Sequence, residues 1–145
     1  MKDLDVMLRP ATPADESFLF DLRKATMDEH LRRAGESTDE RAHWERIRYR
    51  YNDAYVVFQG SERLGLFKSV RDANAWTIVQ IQILPAYQGR GIASHLIGEF
   101  LLQADSAGVP VELSVLKGNP AIDLYRRLGF EVTHTTEASL HMRRG

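Results

Sequence analysis

The hydrophobic positions change period repeatedly along the chain, and each change predicts an element. Residues 6–9 form a short apolar run that reads as a first strand. Thr12-Pro13-Ala14-Asp15-Glu16 then carries the marks of a helix start: a capping hydroxyl, a proline suited to the first turn, and acids at the positive end of the dipole. Phe18, Leu19, Leu22 and Ala25 follow at helical spacing. The chain then turns polar. Trp44, Ile47 and Tyr51, spaced by three and four, predict a second helix that starts at Ser37 or Thr38 and is parted from the first by Gly35. Residues 54–58 and 64–70 are β-rich runs joined by Gly60-Ser61-Glu62, a hairpin signal. Residues 76–84 alternate Ile-Val-Gln-Ile-Gln-Ile, which puts Gln80 and Gln82 on one face of a long strand ended by Pro85. Helical spacing returns over residues 91–104, where Ile92, Leu96, Ile97, Phe100, Leu101 and Ala104 share a face, and Gly108 closes that helix. Residues 109–116 read as a buried strand. Asn119-Pro120 opens a short helix through Ile122, Leu124, Tyr125 and Leu128, stopped by Gly129. Residues 130–133 and 139–142 complete the series as strands.

The order β, α, α, β, β, β, α, β, α, β, β is that of an α/β chain with a mixed sheet. Its strand–helix–strand passage over residues 76–116 predicts a right-handed parallel crossover, and the earlier hairpin makes the sheet mixed. A length of 145 residues suits one domain, taken as residues 1–145. Apolar residues at 43% and charged residues at 27% are ordinary globular values. A net charge of −1 argues against nucleic acid or an anionic membrane as the main partner. No apolar run is long enough to span a bilayer, and Asp3 and Asp5 stand where a signal peptide needs a basic start, so the expected location is cytoplasmic. The absence of cysteine excludes a disulfide, a thiolate metal site and a cysteine nucleophile.

The segment richest in chemistry is Gln88-Gly89-Arg90-Gly91-Ile92-Ala93-Ser94, between a strand and a helix. A helix N-terminus offers unpaired N–H groups and a positive dipole end, which together suit phosphate. Gly89 and Gly91 allow close backbone approach, and Arg90 adds charge at the rim. A P-loop is excluded because no Gly-Lys-Ser/Thr is present. A dinucleotide turn is a rival reading, with Glu112 at about the offset of a ribose-binding acid. Glu112 falls at the start of its strand, however, and the turn arrives too late in the chain for the usual repeated units. A glycine turn that only joins strand to helix is the other rival. The five histidines lack metal-binding spacing, and no Gly-x-Ser-x-Gly is present, so no metal is expected and no hydrolase triad is signalled.

Two motifs in order carry a resemblance. Gln88-Gly89-Arg90-Gly91-Ile92-Ala93, followed by Asn119-Pro120-Ala121, Leu124-Tyr125 and Leu128-Gly129-Phe130, resembles the GNAT superfamily of N-acetyltransferases, most closely over residues 78–130. The usual glycine at the end of the loop is Ala93 here, a common variant of the family. The resemblance implies a sheet of about six or seven mostly antiparallel strands, with one central parallel pair that splays apart, and about four helices. It implies acetyl-CoA as co-substrate. The pyrophosphate would lie over residues 88–94, and the pantetheine arm would pair with backbone at Ile81, Gln82 and Ile83. Asn119 would touch the pantetheine, and Tyr125 would stand near the departing sulfur as general acid. The implied reaction is direct attack of an amine on the thioester, with an oxyanion held by a backbone N–H near Ile83.

The base is not marked, because Gln80 and Gln82 stand where a carboxylate is often found and neither accepts a proton at neutral pH. Glu29, His30, Glu112 and His134 are candidates by chemistry alone. The resemblance implies a small-molecule or peptide amine as acceptor. Asp28, Glu29 and Glu36 are candidates to attract it, and Trp44, Tyr51, Phe67 and Trp76 either pack against it or belong to the core. The charges at Arg32, Arg33, Arg46, Arg48 and Arg50 read either as a solvated helix face or as a wall of that pocket. A homodimer through the C-terminal strands is typical of the family. The alternative function is a non-catalytic acyl-CoA-binding module, which would keep the loop and lose the acid; an intact Tyr125 speaks against it.

Overall fold

The computed structural model describes residues 5–145. Among them seven strands form one sheet, in the order β1-β2-β3-β4-β5-β7-β6. They are β1 (Met7–Pro10), β2 (Ala54–Gln59), β3 (Glu62–Arg71), β4 (Trp76–Ile83), β5 (Val111–Leu116), β6 (Glu131–Thr135) and β7 (Ser139–Arg144). The helices are α1 (Glu16–Arg33), α2 (Glu40–Arg48), α3 (Ile92–Ala107) and α4 (Ala121–Arg127). Every neighbouring pair is antiparallel except β4 and β5. The mixed sheet with a single parallel pair is thus the one the sequence pattern and the resemblance describe. None of these helices is long and apolar enough to cross a membrane.

Differences from the expected boundaries have local causes. A turn of 3-10 helix over Pro13–Asp15 precedes α1. α1 then runs further than expected and stops just before Gly35, whose φ of +74° is left-handed. The cap of α2 is Asp39 rather than Ser37 or Thr38, because its carboxylate accepts the Ala42 N–H at 2.8 Å. Tyr51 lies outside α2. Arg50 adopts φ +50° and turns the chain away, and the Tyr51 hydroxyl donates to the Thr12 carbonyl at 2.6 Å. Pro110 has no N–H to give a ladder, and β5 begins one residue later, at Val111.

Two cores lie on opposite faces of the sheet. The larger joins α3 and α4 to the strands through Phe67, Trp76, Ile78, Ile97, Phe100, Leu113 and Phe130. The smaller, under α1 and α2, consists of Leu19, Leu22, Ile47, Ala54 and Leu66. A β-bulge in β4 decides which side chains meet which core. Lys68 pairs with Gln80 and Ser69 with Ile78, so Val79 is the extra residue. Ile78 and Ile81 can therefore both face α3, while Gln80 and Gln82 turn toward α1 and α2 opposite Lys68 and Leu66. Uninterrupted alternation would have set both glutamines on the α3 side with Trp76 and Ile78.

The small core is supplemented by a buried ion cluster. Asp15, only 2% exposed, accepts two bonds from the Arg9 guanidinium at 2.8 and 2.9 Å, one from Arg63 at 3.2 Å and one from the Thr12 N–H at 2.8 Å. The Arg9 bonds lead in holding its carboxyl well below the usual carboxylate range, against the opposing effect of burial. The cluster ties the end of β1 and the start of α1 to β3.

Candidate active site

The site begins where a ladder ends. β4 and β5 pair only at Trp76–Val111, Thr77–Glu112 and Ile78–Leu113, and beyond those pairs they part. A cavity of about 870 Å³ opens between them. Gln88, Ala93, Ile97, Asn119 and Tyr125 line it from one face of the sheet, and Arg23, His30 and Arg46 from the other. The backbone of β4 from Val79 to Ile83 runs through the middle with one edge free of β5. Such an edge can pair with an extended amide chain as a strand would.

The glycine loop stands at one end of this cleft. Gly89 and Gly91 have φ of +77° and +81°, a region that favours glycine. The first bond of α3 runs from the His95 N–H to the Gly91 carbonyl at 3.0 Å. The amides of Ile92, Ala93 and Ser94 are left without a helical acceptor, at the positive end of the dipole. Gln88 fixes the loop to the strand through a 2.9 Å bond from its amide to the Ile83 carbonyl. Arg90 lies over the Tyr87 ring at 5.1 Å, exposed at the rim. Ile92 is 5% exposed and belongs to the large core, so only its backbone faces the loop's concavity. The donor set and the length of open strand fit a pyrophosphate followed by an amide-bearing arm.

Tyr125 comes from α4 and Asn119 from the turn before it. Tyr125 is 7% exposed, packs edge-on to Phe130 at 5.9 Å and lines the cavity. Burial pushes its hydroxyl up to about 12, which keeps it protonated and able to donate through neutral pH. Asn119 accepts the Ala121 N–H at 2.9 Å and so caps α4, which leaves its amide nitrogen for the cavity it also lines.

The other half of the cavity is polar, and several of its residues were not singled out in the sequence. Arg23 is 7% exposed, and its Nε donates to His43 Nδ1 at 3.1 Å. That leaves His43 Nε2 to carry the proton it shares with Asp28 at 2.6 Å. Lys68 is completely buried and donates to the carbonyls of Arg46, Ile47 and Tyr49 at 3.0, 3.0 and 2.6 Å, capping the C-terminal end of α2. Burial first, then Arg46 and Arg23, pushes its ammonium down to about 7, while the three carbonyls favour the charged form. A lysine inside the apolar run Leu64-Gly65-Leu66-Phe67-Lys68 was the available signal. His43 and Arg23, in charged helices, gave none. The Gln80 amide and the Gln82 Oε1 are buried with no hydrogen-bond partner among the described residues.

The remaining candidates disperse. Glu29 pairs with Arg33 at 2.6 Å on an exposed helix face, and Asp28 is held by His43. Glu112 pairs with Arg143 at 3.4 Å, and the His134 ring lies tilted against that of His141 with centroids 4.5 Å apart; neither lines the cavity. His30 does line it. Phe67 and Trp76 pack on Phe100 in the large core, Trp44 stacks on Phe20 at 4.6 Å, and none of these aromatics, nor Tyr51, reaches the cavity. Among the five arginines in question only Arg46 is on its wall.

Comparison with known proteins agrees with this geometry. A family model described as an acetyltransferase (GNAT) domain matches residues 50–132. An uncharacterized protein of Mycobacterium leprae, ML0378, is 35% identical over 79 residues, 54% of this chain and 21% of that protein. The chain therefore spans about a fifth of the length of the curated relative it matches. Among solved structures, the PaiA N-acetyltransferase of Thermoplasma acidophilum in complex with coenzyme A superposes with a TM-score of 0.74 at 19% identity, covering 97% of this chain and 99% of that one. An acetyltransferase from Thermus thermophilus gives 0.76 at 21% identity, over 99% of both chains. These two likenesses are likenesses of fold.

Proposed function

The chain belongs to the acetyltransferase (GNAT) domain family, and from that premise we propose that it acts as a single domain that transfers an acetyl group from acetyl-CoA to an amine. The observation that carries the reading is the parting of β4 from β5 after Ile78 and Leu113, beside a loop of unpaired amides. The amides of Gly89, Arg90, Gly91, Ile92, Ala93 and Ser94 hold the pyrophosphate, with Arg90 at the rim and Gln88 fixing the loop. The free edge of β4 at Ile81, Gln82 and Ile83, with Asn119 opposite, takes the pantetheine arm. Bound acetyl-CoA supplies the thioester at the centre of the cleft.

The amine enters from the α1/α2 half of the cavity. A backbone N–H of β4 near Ile83 stabilises the oxyanion as it develops, a contribution of roughly 2.7–4 kcal/mol where such donors have been removed. The Tyr125 hydroxyl gives its proton to the departing sulfur, and its raised pKa keeps the proton in place until then. His30, alone of the four candidate bases on the cavity wall, removes the proton from the amine. Because Tyr125→Phe deletes the donor and keeps the ring against Phe130, turnover falls about 10²–10⁴-fold with acetyl-CoA affinity unchanged. Free-thiol release measured beside calorimetric binding tests this. Unchanged turnover would remove Tyr125 from the chemistry.

A further inference from the structure

The acceptor half of the cavity has an unusual charge distribution. Arg23 is 7% exposed, and Arg46 is on the same wall with its side chain exposed at the rim. Among the described residues neither has a carboxylate within ion-pair distance. The nearby acid, Asp28, is engaged by His43 at 2.6 Å. Arg23 commits its Nε to His43, and one Arg46 nitrogen reaches the carbonyl of the bulged Val79 at 3.4 Å. Lys68 adds a third cation beneath them, and burial and Arg46 push the Arg23 guanidinium down to about 10. The two carboxylates on this wall, Glu36 and Glu45, are exposed, and Glu45 faces Arg41 at 3.5 Å. His30 and Tyr49, whose ring lies 5.5 Å from the Arg46 guanidinium, are the remaining titratable groups on it.

A buried guanidinium without a counter-ion, with a second guanidinium at its exposed rim and an ammonium beneath, is costly to keep. An oxyanion in the same space removes that cost and can be bound bidentately by a guanidinium fork. The bulge supplies the complementary part. It turns Gln80 and Gln82 toward the same chamber, where Gln80 Oε1 and Gln82 Oε1 are buried acceptors, and Gln80 Nε2 a buried donor, with no partner among the described residues. A glutamine oxygen accepts from the N–H of an amine and not from an anion.

From this arrangement we infer that the acceptor is an amine that carries its own oxyanion, a carboxylate or a phosphate, held by Arg23 and Arg46 while Gln80 and Gln82 receive the amine at the open edge of β4. This rests on the acetyltransferase reading and narrows it. It departs from the expectation that acids recruit a cationic amine at positions 28 and 29, where Asp28 and Glu29 are bonded to His43 and Arg33, while Glu36 does line the cavity.

The test is thiol release at saturating acetyl-CoA with paired acceptors: leucine against leucinamide, phosphoethanolamine against ethanolamine, and spermidine as a cation. The anionic member of at least one pair is acetylated with kcat/KM about 10–100-fold above its neutral partner, and the pair showing the preference tells carboxylate from phosphate. Arg46→Gln abolishes the preference through the KM of the anionic acceptor and leaves the KM for acetyl-CoA unchanged. Arg23→Gln does the same where it folds; because Arg23 also holds His43, the Arg46 variant carries the result. Preference for leucinamide, ethanolamine or spermidine overturns the inference, as does failure of the wild type to use either anionic acceptor while it binds acetyl-CoA. Failure to bind acetyl-CoA at all would instead overturn the transferase reading beneath it.

Discussion

The two faces of the sheet are built on different principles. The α3/α4 face is an apolar core of large side chains with a backbone-lined loop at its edge. The α1/α2 face has few core residues and leans on buried polar groups: Asp15 with two arginines, Arg23 with His43 and Asp28, and Lys68 on the end of α2. The first arrangement offers main-chain amides, which any sequence supplies once glycine and a helix start are in place. The second offers particular side chains. On the proposed reading, the face that would hold the co-substrate is generic, and the face that would receive the acceptor depends on side-chain identity.

That contrast can be broken or sharpened by substitution. Tyr125→Phe carries the largest effect, a rate loss with binding and stability preserved, because the change removes only a hydroxyl from a ring packed on Phe130. Lys68→Met comes next. It leaves the carbonyls of Arg46, Ile47 and Tyr49 without their donor and costs about 3 kcal/mol. Urea denaturation reads the loss, while acetyl-CoA affinity is retained; a Met variant as stable as the wild type would mean that the small core carries this face unaided. Asp15→Asn costs about 2–3 kcal/mol at neutral pH. The sign with pH is fixed by the lowered carboxyl: its contribution is fully present above the unfolded value of about 3.9 and is lost as pH falls through the folded one. Thermal melts from about pH 5 to about pH 2 should fall for the wild type and flatten for Asp15→Asn. The smallest effect is that of Gly65→Ala. An added β-carbon there would meet the Gln82 carbonyl oxygen, pushing β4 from β3 at a cost of about 1–3 kcal/mol. Acetyl-CoA affinity should drop with it, since the displaced strand is the one whose free edge faces the cleft.

Legibility in the sequence followed the same division. The strand and helix order, the glycine loop and the helix with Tyr125 could be read because each rests on local rules: period, capping, and the freedom of Gly89 and Gly91. The bulge at Val79 could not, since nothing in Ile-Val-Gln-Ile-Gln-Ile marks where alternation slips. Without it the direction of Gln80 and Gln82 was open. Lys68 stood out in an apolar run, but its acceptors lie 19 to 22 residues earlier in the chain, a tertiary pairing that no local pattern announces. Arg23 and Arg46 looked like any charges on a helix, and only the packing of α1 and α2 buries Arg23 and sets Arg46 on the cavity wall. The aromatic residues left two readings open. Trp76 and Phe67 are as suitable for a core as for a pocket, and the core took them.

The central claim is that the cleft between β4 and β5 is a coenzyme A site, and heat release on titration of acetyl-CoA into the purified protein tests it most directly, with NAD as the control ligand and Gly91→Glu as the control protein. A β-carbon at Gly91 meets no atom within 4 Å, so the variant should fold at the cost of a side chain on left-handed backbone, and the added carboxylate should act on the loop alone. Saturable binding of acetyl-CoA, none of NAD, and loss of binding in Gly91→Glu is the predicted result. A wild type that gives no acetyl-CoA binding, or a Gly91→Glu variant that binds as well as the wild type, would contradict it.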